Sequence, residues 1–164
     1  MADLPLAAIY PGSFDPMHLG HVDIIRRAHG IFPRVIVAVL QNTDKTPLLP
    51  VATRVELIEH SMAGLPGIEF TSFSGLLVDF MQHSGARVIL RGMRAVSDFE
   101  YEFQIALMNR RLWTQAETVF LTPNEEFTYL SSRVVKEIWQ LGGDVSGLVP
   151  GPVFEALRAL PLPR

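Results

Sequence analysis

The chain has 164 residues, and its hydrophobic fraction of 48% is enough to bury a core, which excludes a disordered protein. The formal net charge of −3 argues against a nucleic-acid partner bound through a broad basic surface, and the absence of cysteine excludes disulfides and thiol chemistry. The N-terminus lacks a signal-peptide pattern, and the longest strongly apolar run, 35–40, is too short to span a membrane. We therefore expect a cytoplasmic protein with no membrane partner, built as a single domain over 1–164.

Short β-rich runs alternate with helical patterns along the chain. The predicted strands are 6–10, 34–41, 68–73, 87–90 and 118–122, and the predicted helices are 20–32, 51–65, 76–83, 99–113, 131–141 and 153–160. This alternation predicts an α/β fold of the doubly wound type, with a five-stranded, mainly parallel sheet and helices on both faces. Ligands of such sheets bind beyond the carboxyl ends of the strands, so the loops that follow strands are the candidate sites.

The loop after the first predicted strand contains two histidines, His18 and His21, at the start of the first helix. Free backbone amides and the helix dipole favour phosphate there, and a histidine can hydrogen-bond a phosphate oxygen as charge builds on it. Gly20 lets a ligand approach the backbone, and Ser13 adds a small donor. The alternative is an ordinary turn with two surface histidines; a metal pair finds no further ligands at the expected spacing.

Two further loops carry basic side chains. Lys45 follows the second predicted strand and has the reach to bind a phosphate, although a surface lysine in a polar loop is the alternative. Arg91 and Arg94 flank the end of the fourth predicted strand, and their guanidinium groups suit oxyanions. Asp98 is placed to cap the helix that follows.

The loop after the fifth predicted strand ends in two serines, Ser131 and Ser132, at the start of a helix. An ordinary serine cap is one interpretation. The other is an array of amides and hydroxyls that receives phosphates, to which Arg133 and Lys136 would add positive charge one turn apart.

Taken in order, these loops resemble those of the bacterial phosphopantetheine adenylyltransferases, a family of the HxGH nucleotidylyltransferase superfamily. The opening motif is 10–16 followed by Gly20 and His21, and the most distinctive stretch is 90–94 running into 98–102, then Gln104 and 108–110. The segment 131–137 is similar to the ISSxxVR-type signature, and 142–145 with 149–150 matches the tail of the family. The resemblance covers almost the whole chain.

The resemblance implies a Rossmann-like fold and transfer of the adenylyl group of ATP to 4′-phosphopantetheine, giving dephospho-coenzyme A and pyrophosphate. It implies direct in-line attack without a covalent enzyme intermediate, Mg²⁺ carried mainly on the ATP phosphates, coenzyme A as a further ligand, and a homohexamer. The implied catalytic residues are His21, Lys45 and Arg91. The implied ATP contacts are Ser13, Phe14, His18, His21, Gly92, Met93, Arg94, Glu102, Phe127, Thr128, Tyr129, Leu130, Ser131, Ser132 and Arg133. The implied acceptor contacts are Ser13, Lys45, Leu77 and Arg91.

The chain departs from the family pattern at three places. His18 stands where many members have threonine or asparagine, the segment 50–54 lacks an acidic pair, and Arg133 occupies a position that is often serine. The nearest alternative is another adenylyl- or cytidylyltransferase on this fold, with nicotinate mononucleotide or glycerol 3-phosphate as acceptor. A non-catalytic nucleotide-binding protein is the alternative from a different class.

Overall fold

The computed structural model describes residues 6–41 and 47–162. Its strands are β1 (Ala7–Gly12), β2 (Arg34–Leu40), β3 (Ile68–Phe73), β4 (Val88–Gly92) and β5 (Glu117–Leu121). Its helices are α1 (Leu19–His29), α2 (Val51–Ser61), α3 (Leu77–Ser84), α4 (Val96–Leu112), α5 (Ser132–Gln140) and α6 (Gly151–Arg158), with a short 3-10 helix at Glu125–Phe127. No helix within the described residues is both long and apolar enough to cross a membrane.

The five strands form one sheet in the order β3-β2-β1-β4-β5, and each neighbouring pair is parallel. Successive side chains of a strand point to opposite faces of the sheet. In β1, Ala8 and Tyr10 join a core with α1, α2, α5 and α6, whereas Ala7 and Ile9 join a second core with α3. Helices therefore cover both faces, and the predicted α/β, doubly wound architecture is confirmed.

The two strands beside β1, β2 and β4, pair with it over different lengths. The register of β1 with β2 runs from Ala7 to Gly12, whereas its register with β4 covers Ala8 and Ile9. Pro11 has no N–H to donate, and its carbonyl instead accepts a hydrogen bond of 3.1 Å from Nη1 of Arg91. Because the chain crosses from β3 at one edge to β4 beside β1, this opening lies at the topological switch point, where doubly wound sheets bind ligands.

Several predicted boundaries were wrong by a few residues. β1 continues through Pro11 and Gly12, which the sequence pattern placed in a turn, because both residues pair with β2. α2 ends at Ser61, four residues before its predicted end, and Gly64 follows with a φ of +89° that a helix does not allow.

The start of α4 also differs from its prediction. The helix begins at Val96 and not at residue 99, and Ala95 occupies the N-cap position that was predicted for Asp98. The Asp98 carboxylate lies in the first turn, where it accepts a hydrogen bond of 3.2 Å from the backbone N–H of Arg94. The acid therefore ties the loop to the helix, which a cap at residue 98 would not do.

Candidate active site

A cavity of about 250 Å³ opens at the switch point, between the carboxyl ends of β1 and β4 and the N-termini of α1 and α5. The loops after β1, β4 and β5 all contribute to its wall, as expected for a doubly wound sheet. The predicted site residues that line it are Ser13, Phe14, His18, His21, Arg91, Gly92, Arg94, Phe127, Ser131 and Ser132.

His21 lies in the first turn of α1 with its ring held on several sides. Its Nδ1 accepts a hydrogen bond of 3.2 Å from the backbone N–H of His18, and the His18 ring stacks on it with centroids 3.7 Å apart. The Phe14 ring packs against it in a T-shaped arrangement with centroids 4.9 Å apart. Burial lowers the pKa of His21 well below 6.5, and electrostatic repulsion from His18, Arg94 and Arg91 lowers it further. The imidazole is therefore neutral near pH 7, and because Nδ1 is an acceptor, Nε2 carries the proton.

Phe14 reaches this position through an unfavourable backbone conformation. Its φ is +47°, in the left-handed region that non-glycine residues rarely adopt, yet its side chain is 1% exposed. The ring packs edge-on against Tyr10 at 5.5 Å as well as against His21, and a Cβ on Gly12 would lie 3.0 Å from it. The packing of one aromatic ring under His21 thus explains both the strained residue and the neighbouring glycine.

His18 is 5% exposed, and burial, together with the charge of Arg94, lowers its pKa to about 4. Its Nδ1 has no hydrogen-bond partner among the described residues. A Cβ on Gly20 would lie 3.0 Å from Cε1 and Nδ1 of the His18 ring. The sequence analysis predicted that Gly20 leaves room for a ligand, but the His18 ring occupies that space.

Arg91, at the end of β4, is fixed by a two-pronged ion pair. Its Nε and Nη2 donate to Oε2 and Oε1 of Glu102 at 2.7 and 2.6 Å. Burial alone would lower the pKa of Arg91, but the hydrogen bonds and charge of Glu102 raise it above its ordinary value. The carboxylate of Glu102, which the resemblance assigned to ATP, thus faces Arg91 and lines a second cavity instead of the first.

The second cavity has a volume of about 360 Å³ and lies on the other side of Ser13 and Arg91, which line both cavities. Leu77, at the start of α3, lines this cavity. Residues that the sequence analysis did not assign to a site also line it, among them Phe73, Tyr101, Ile105, Ala106 and Asn109. Long apolar stretches with a few polar groups are typical of sites for flexible organic ligands.

Arg94 connects α4 to the loop before α5. Its Nε and Nη2 lie 3.2 and 3.3 Å from the Asp98 carboxylate, and Nη1 donates to the Leu130 carbonyl at 2.9 Å. Leu130 itself is 1% exposed, so its side chain belongs to the core and only its backbone faces Arg94. Met93, Thr128, Tyr129 and Leu130 do not line either cavity.

The two serines of α5 have different partners. Oγ of Ser131 accepts from the backbone N–H of Val134 at 3.1 Å, so the serine-cap interpretation is confirmed for this residue. Oγ of Ser132 donates to the Pro16 carbonyl at 2.8 Å. Both residues still line the first cavity, where the first amides of α5 have no acceptor within the helix. Arg133 is exposed and lies on a neighbouring cleft.

Two charged residues that sequence reasoning gave no role hold the first loop in place. The Asp15 carboxylate accepts the N–H groups of Leu48 and Leu49 at 2.8 and 2.9 Å. Its Oδ2 also lies 3.6 Å from Nζ of Lys136. Arg54, which is 5% exposed, donates to the Ser13 carbonyl at 2.6 Å. The sequence pattern could have indicated a role for Arg54, because it lies four residues before buried Ile58 and so on the buried face of α2, where a charge is unusual.

Lys45 lies outside the described residues. Among residues 6–41 and 47–162, no three histidine, aspartate or glutamate side chains lie close enough to hold a metal ion together.

Comparison with known proteins identifies the class of this chain. The model of the cytidylyltransferase-like family matches residues 9–138, which include the loops that line both cavities. This match makes the chain a nucleotidyltransferase of that family, and its close relatives narrow the assignment.

Phosphopantetheine adenylyltransferase from Thioalkalivibrio sulfidiphilus is 54% identical over 156 residues, which cover 95% of this chain and 98% of that protein. The enzymes of the same name from Alkaliphilus metalliredigens and Methylococcus capsulatus are 54% and 53% identical. The alignments cover 91% and 93% of this chain, and 95% and 94% of those proteins. The chain therefore belongs to the phosphopantetheine adenylyltransferases, as the motifs predicted.

Two solved structures share the fold at low sequence identity. A structure described as a nicotinate-nucleotide adenylyltransferase from Vibrio parahaemolyticus has a TM-score of 0.69 at 16% identity, covering 94% of this chain and 93% of that one. The lipopolysaccharide core biosynthesis protein from Thermoplasma volcanium has a TM-score of 0.54 at 18% identity, covering 73% and 98%. At these identities the likeness extends to the fold alone.

Proposed function

We propose that this chain transfers the adenylyl group of ATP to 4′-phosphopantetheine, producing dephospho-coenzyme A and pyrophosphate in the biosynthesis of coenzyme A. One observation carries this proposal: two cavities meet at Ser13 and Arg91, and the first of them contains the neutral His21. Two neighbouring sites with shared polar residues suit a reaction that joins two substrates. The names of the relatives, at 53% to 54% identity, support the choice of substrates.

The first cavity is the proposed ATP site. It offers the amides at the start of α5, the guanidinium group of Arg94 and the Nε2–H of His21, all of which suit phosphate oxygens. We assign to ATP the residues that the resemblance named. His18 lines this cavity while stacked on the ring of His21. The members of this set that lie outside the cavity wall are Met93, Glu102, Thr128, Tyr129, Leu130 and Arg133.

The second cavity is the proposed site of the pantetheine arm, with Leu77 packed along it and Arg91 at the junction. Ser13 faces both cavities and is assigned to both substrates. Lys45 is assigned to the acceptor phosphate on the resemblance alone. Dephospho-coenzyme A and coenzyme A share this arm with the acceptor, so we expect both to bind here.

The proposed chemistry is a direct displacement at the α-phosphorus of ATP. A phosphate oxygen of the acceptor forms the new P–O bond, the bond to the bridging oxygen of the β-phosphate breaks, and pyrophosphate leaves with the electron pair. Such transfers are accelerated mainly by the positioning of the reactants and the stabilisation of charge in the transition state. His21 would donate its Nε2–H to an α-phosphate oxygen as negative charge grows on it, and no covalent enzyme intermediate is needed.

We propose that Mg²⁺ reaches the site on the phosphates of ATP. The described residues present no cluster of three acidic or histidine ligands, whereas Mg²⁺ often binds through substrate phosphates and retains several waters. When bound, it neutralises charge on the phosphates. A reducing, cytoplasmic location is proposed on the absence of cysteine and fits this chemistry.

We propose further that the chain forms a homohexamer through α4. This helix exposes far more apolar surface than a solvated helix needs, and exposed apolar surface of this extent marks an interface. The exposed apolar residues of the helix are Val96, Phe99, Tyr101, Phe103, Ile105, Leu107, Met108 and Leu112.

Pyrophosphate release tests the proposed reaction. The enzyme is incubated with ATP, Mg²⁺ and 4′-phosphopantetheine, and nicotinate mononucleotide, glycerol 3-phosphate and CTP are substituted in parallel. We expect release that requires both ATP and phosphopantetheine, with dephospho-coenzyme A as the product. Pyrophosphate release with a different acceptor would show that phosphopantetheine is not the substrate. No release with any pair would favour a non-catalytic nucleotide-binding protein.

A further inference from the structure

The imidazole rings of His18 and His21 lie almost face to face, with centroids 3.7 Å apart and an interplanar angle of 25°. His18 is the N-cap residue of α1, and its extended backbone, with φ of −130° and ψ of 170°, brings its ring back over the first turn. One residue thus contacts His21 twice, through its backbone N–H at Nδ1 and through its ring at the flat face.

The other contacts of the His21 ring do not fix its orientation by themselves. The Phe14 ring is T-shaped to it with centroids 4.9 Å apart, and Tyr10 lies at 6.3 Å with a tilt of 60°, so neither stacks face to face on His21 as His18 does. A terminal sp³–sp² torsion has a broad energy minimum, and an imidazole can turn within it. The His18 stack covers a face of the His21 ring, and together with the backbone N–H on Nδ1 it restricts how far the ring can turn.

His18 does not need to touch a substrate to have this effect. Its ring is 5% exposed, and the pKa near 4 keeps it neutral, so it stacks on His21 without the repulsion that two charged imidazoles would exert.

Gly20 is part of the same arrangement. A Cβ at this position would lie 3.0 Å from two ring atoms of His18, tighter than most side-chain contacts, so the ring would have to shift by a few tenths of an ångström; the distance of 3.6 Å to Cβ of Phe127 is an ordinary contact. A methyl group at residue 20 therefore displaces the His18 ring before it disturbs any other neighbour.

We propose that His18 is a positioning residue that acts through His21: its ring, in the space left by Gly20, sets the orientation from which His21 donates Nε2–H. The kinetic part of this inference rests on the proposed adenylyl transfer, whereas the orientation of His21 is measurable in the free protein. The prediction is thus a loss of turnover without a comparable loss of ATP binding when the stack is removed.

Four variants test the kinetics: His18→Thr, His18→Phe, Gly20→Ala and the double variant His18→Thr/Gly20→Ala, with exposed His60→Thr on α2 as the matched control. We expect His18→Thr to lower kcat about tenfold, an effect of the size that an aromatic pair supplies, with the KM for ATP within about twofold of wild type. His18→Phe, which keeps a flat ring, recovers most of the lost turnover. Equal loss in both variants would assign the effect to a direct contact by the imidazole nitrogens and overturn the proposal.

The double variant tests the link to Gly20. Gly20→Ala alone should lower kcat about as much as His18→Thr does, whereas in the His18→Thr background the added methyl should change kcat less than about twofold. Additive losses would show that residue 20 affects the cavity independently of His18, and would contradict the coupling.

Nitrogen-15 NMR of the histidine rings provides a readout without substrate, with the His21 signals identified by their absence in His21→Ala. In wild type at pH 7 we expect one neutral tautomer of His21 with the proton on Nε2, preserved in His18→Phe and averaged between the two nitrogens in His18→Thr. An unchanged tautomer in His18→Thr would overturn the proposal. Because no substrate is present, this outcome is independent of whether the proposed adenylyl transfer is correct.

Discussion

Arg91 and Glu102 form a two-pronged ion pair between β4 and α4, with N–O distances of 2.7 and 2.6 Å, at the junction of the two cavities. Nη1 of Arg91 is occupied as well, by the carbonyl of Pro11. The guanidinium plane is therefore fixed in relation to β1, β4 and α4 before any ligand arrives. A preoriented cation costs less conformational entropy on binding an anion than a mobile one does.

Glu102→Gln tests this orientation. The substitution keeps the shape of the side chain but removes its charge and places an amide N–H₂ opposite a guanidinium donor. We expect the free energy of unfolding to fall by about 1–3 kcal/mol and the KM for phosphopantetheine to rise about tenfold, since Arg91 is only partly exposed and loses its partner.

Steady-state kinetics and urea unfolding measure both effects. Glu117→Gln is the matched control, because its pair with Arg110 has both side chains more than half exposed and should contribute less than about 1 kcal/mol. Identical behaviour of the two glutamine variants would remove Glu102 from the site.

His21→Ala should lower kcat by about 10²- to 10³-fold, the range found for loss of one donor to a developing oxyanion. The dissociation constant for ATP, measured by calorimetry, should change much less, because the donor acts mainly on charge that appears in the transition state. His21→Gln keeps an N–H near the position of Nε2 and should retain more turnover than the alanine variant. Near-normal turnover of His21→Ala would refute the assigned role.

Arg54→Met separates loop positioning from stability. The arginine is 5% exposed, and its Nε has no hydrogen-bond partner among the described residues. Burial lowers its pKa, so keeping the guanidinium charged inside the protein costs free energy. Within 6–41 and 47–162, its side chain makes one hydrogen bond, to the Ser13 carbonyl, which fixes the loop that faces both cavities.

Methionine has a similar volume and no charge, so the free energy of unfolding should stay within about 1 kcal/mol of that of the wild type. The KM values for both substrates should rise, because the loop loses its hydrogen bond. Exposed Arg26→Met, on α1, is the control and should leave the kinetics unchanged. A large loss of stability with unchanged KM would show that Arg54 supports the fold rather than the loop.

The stability of the protein should fall as pH is lowered through the range in which His18 stays neutral only in the folded state. Burial, the larger cause, and Arg94 lower the pKa of His18 from 6.5 to about 4, so between these values the unfolded chain binds more protons. The contribution is complete above about pH 6.5 and is lost progressively down to about pH 4, to a total of about 3 kcal/mol at most.

Urea unfolding followed by circular dichroism at several pH values between 4.5 and 7.5 measures this dependence. His18→Phe, which cannot titrate, should show a shallower decline than wild type over that interval, although His21 still contributes in the variant. Parallel curves for the two proteins would mean that His18 takes up its proton without unfolding.

The periodicity of the chain predicted the sheet, its parallel strands and the helices on both faces, because alternating buried runs and amphipathic segments leave few other arrangements. It failed at β1, where the pattern ends the strand at residue 10 although Pro11 and Gly12 pair with β2. A proline normally stops a strand, and only the early divergence of β4 from β1 makes a missing N–H harmless here.

Local motifs predicted most of the first cavity, because its residues lie in loops whose sequence is itself distinctive. They did not predict contacts between distant elements, such as the hydrogen bond of Arg54 to Ser13 or the N–H groups of residues 48 and 49 on Asp15. Such partners depend on how α2 packs against the sheet, and no spacing within a motif encodes that packing.

The proposed interface on α4 gives the last prediction. Phe99 and Phe103 stack at a centroid distance of 5.5 Å while 46% and 45% exposed, and Leu107 continues the stripe one turn later at 51%. Residues at this spacing share one helix face, so a partner helix could cover all three at once. If no partner covered this face, the protein would expose a hydrophobic patch that promotes aggregation.

If the proposed hexamer forms through this face, Phe103→Asp should shift it to smaller species in size-exclusion chromatography with light scattering, because a carboxylate among these residues loses its hydration when the face is covered. Glu100→Asp, at an exposed position on the same helix, conserves charge and should leave the assembly intact. Since Glu102 lies in α4 and holds Arg91, dissociation should also weaken phosphopantetheine binding. A monomeric wild-type protein, or a Phe103→Asp variant that stays hexameric, would place the interface elsewhere.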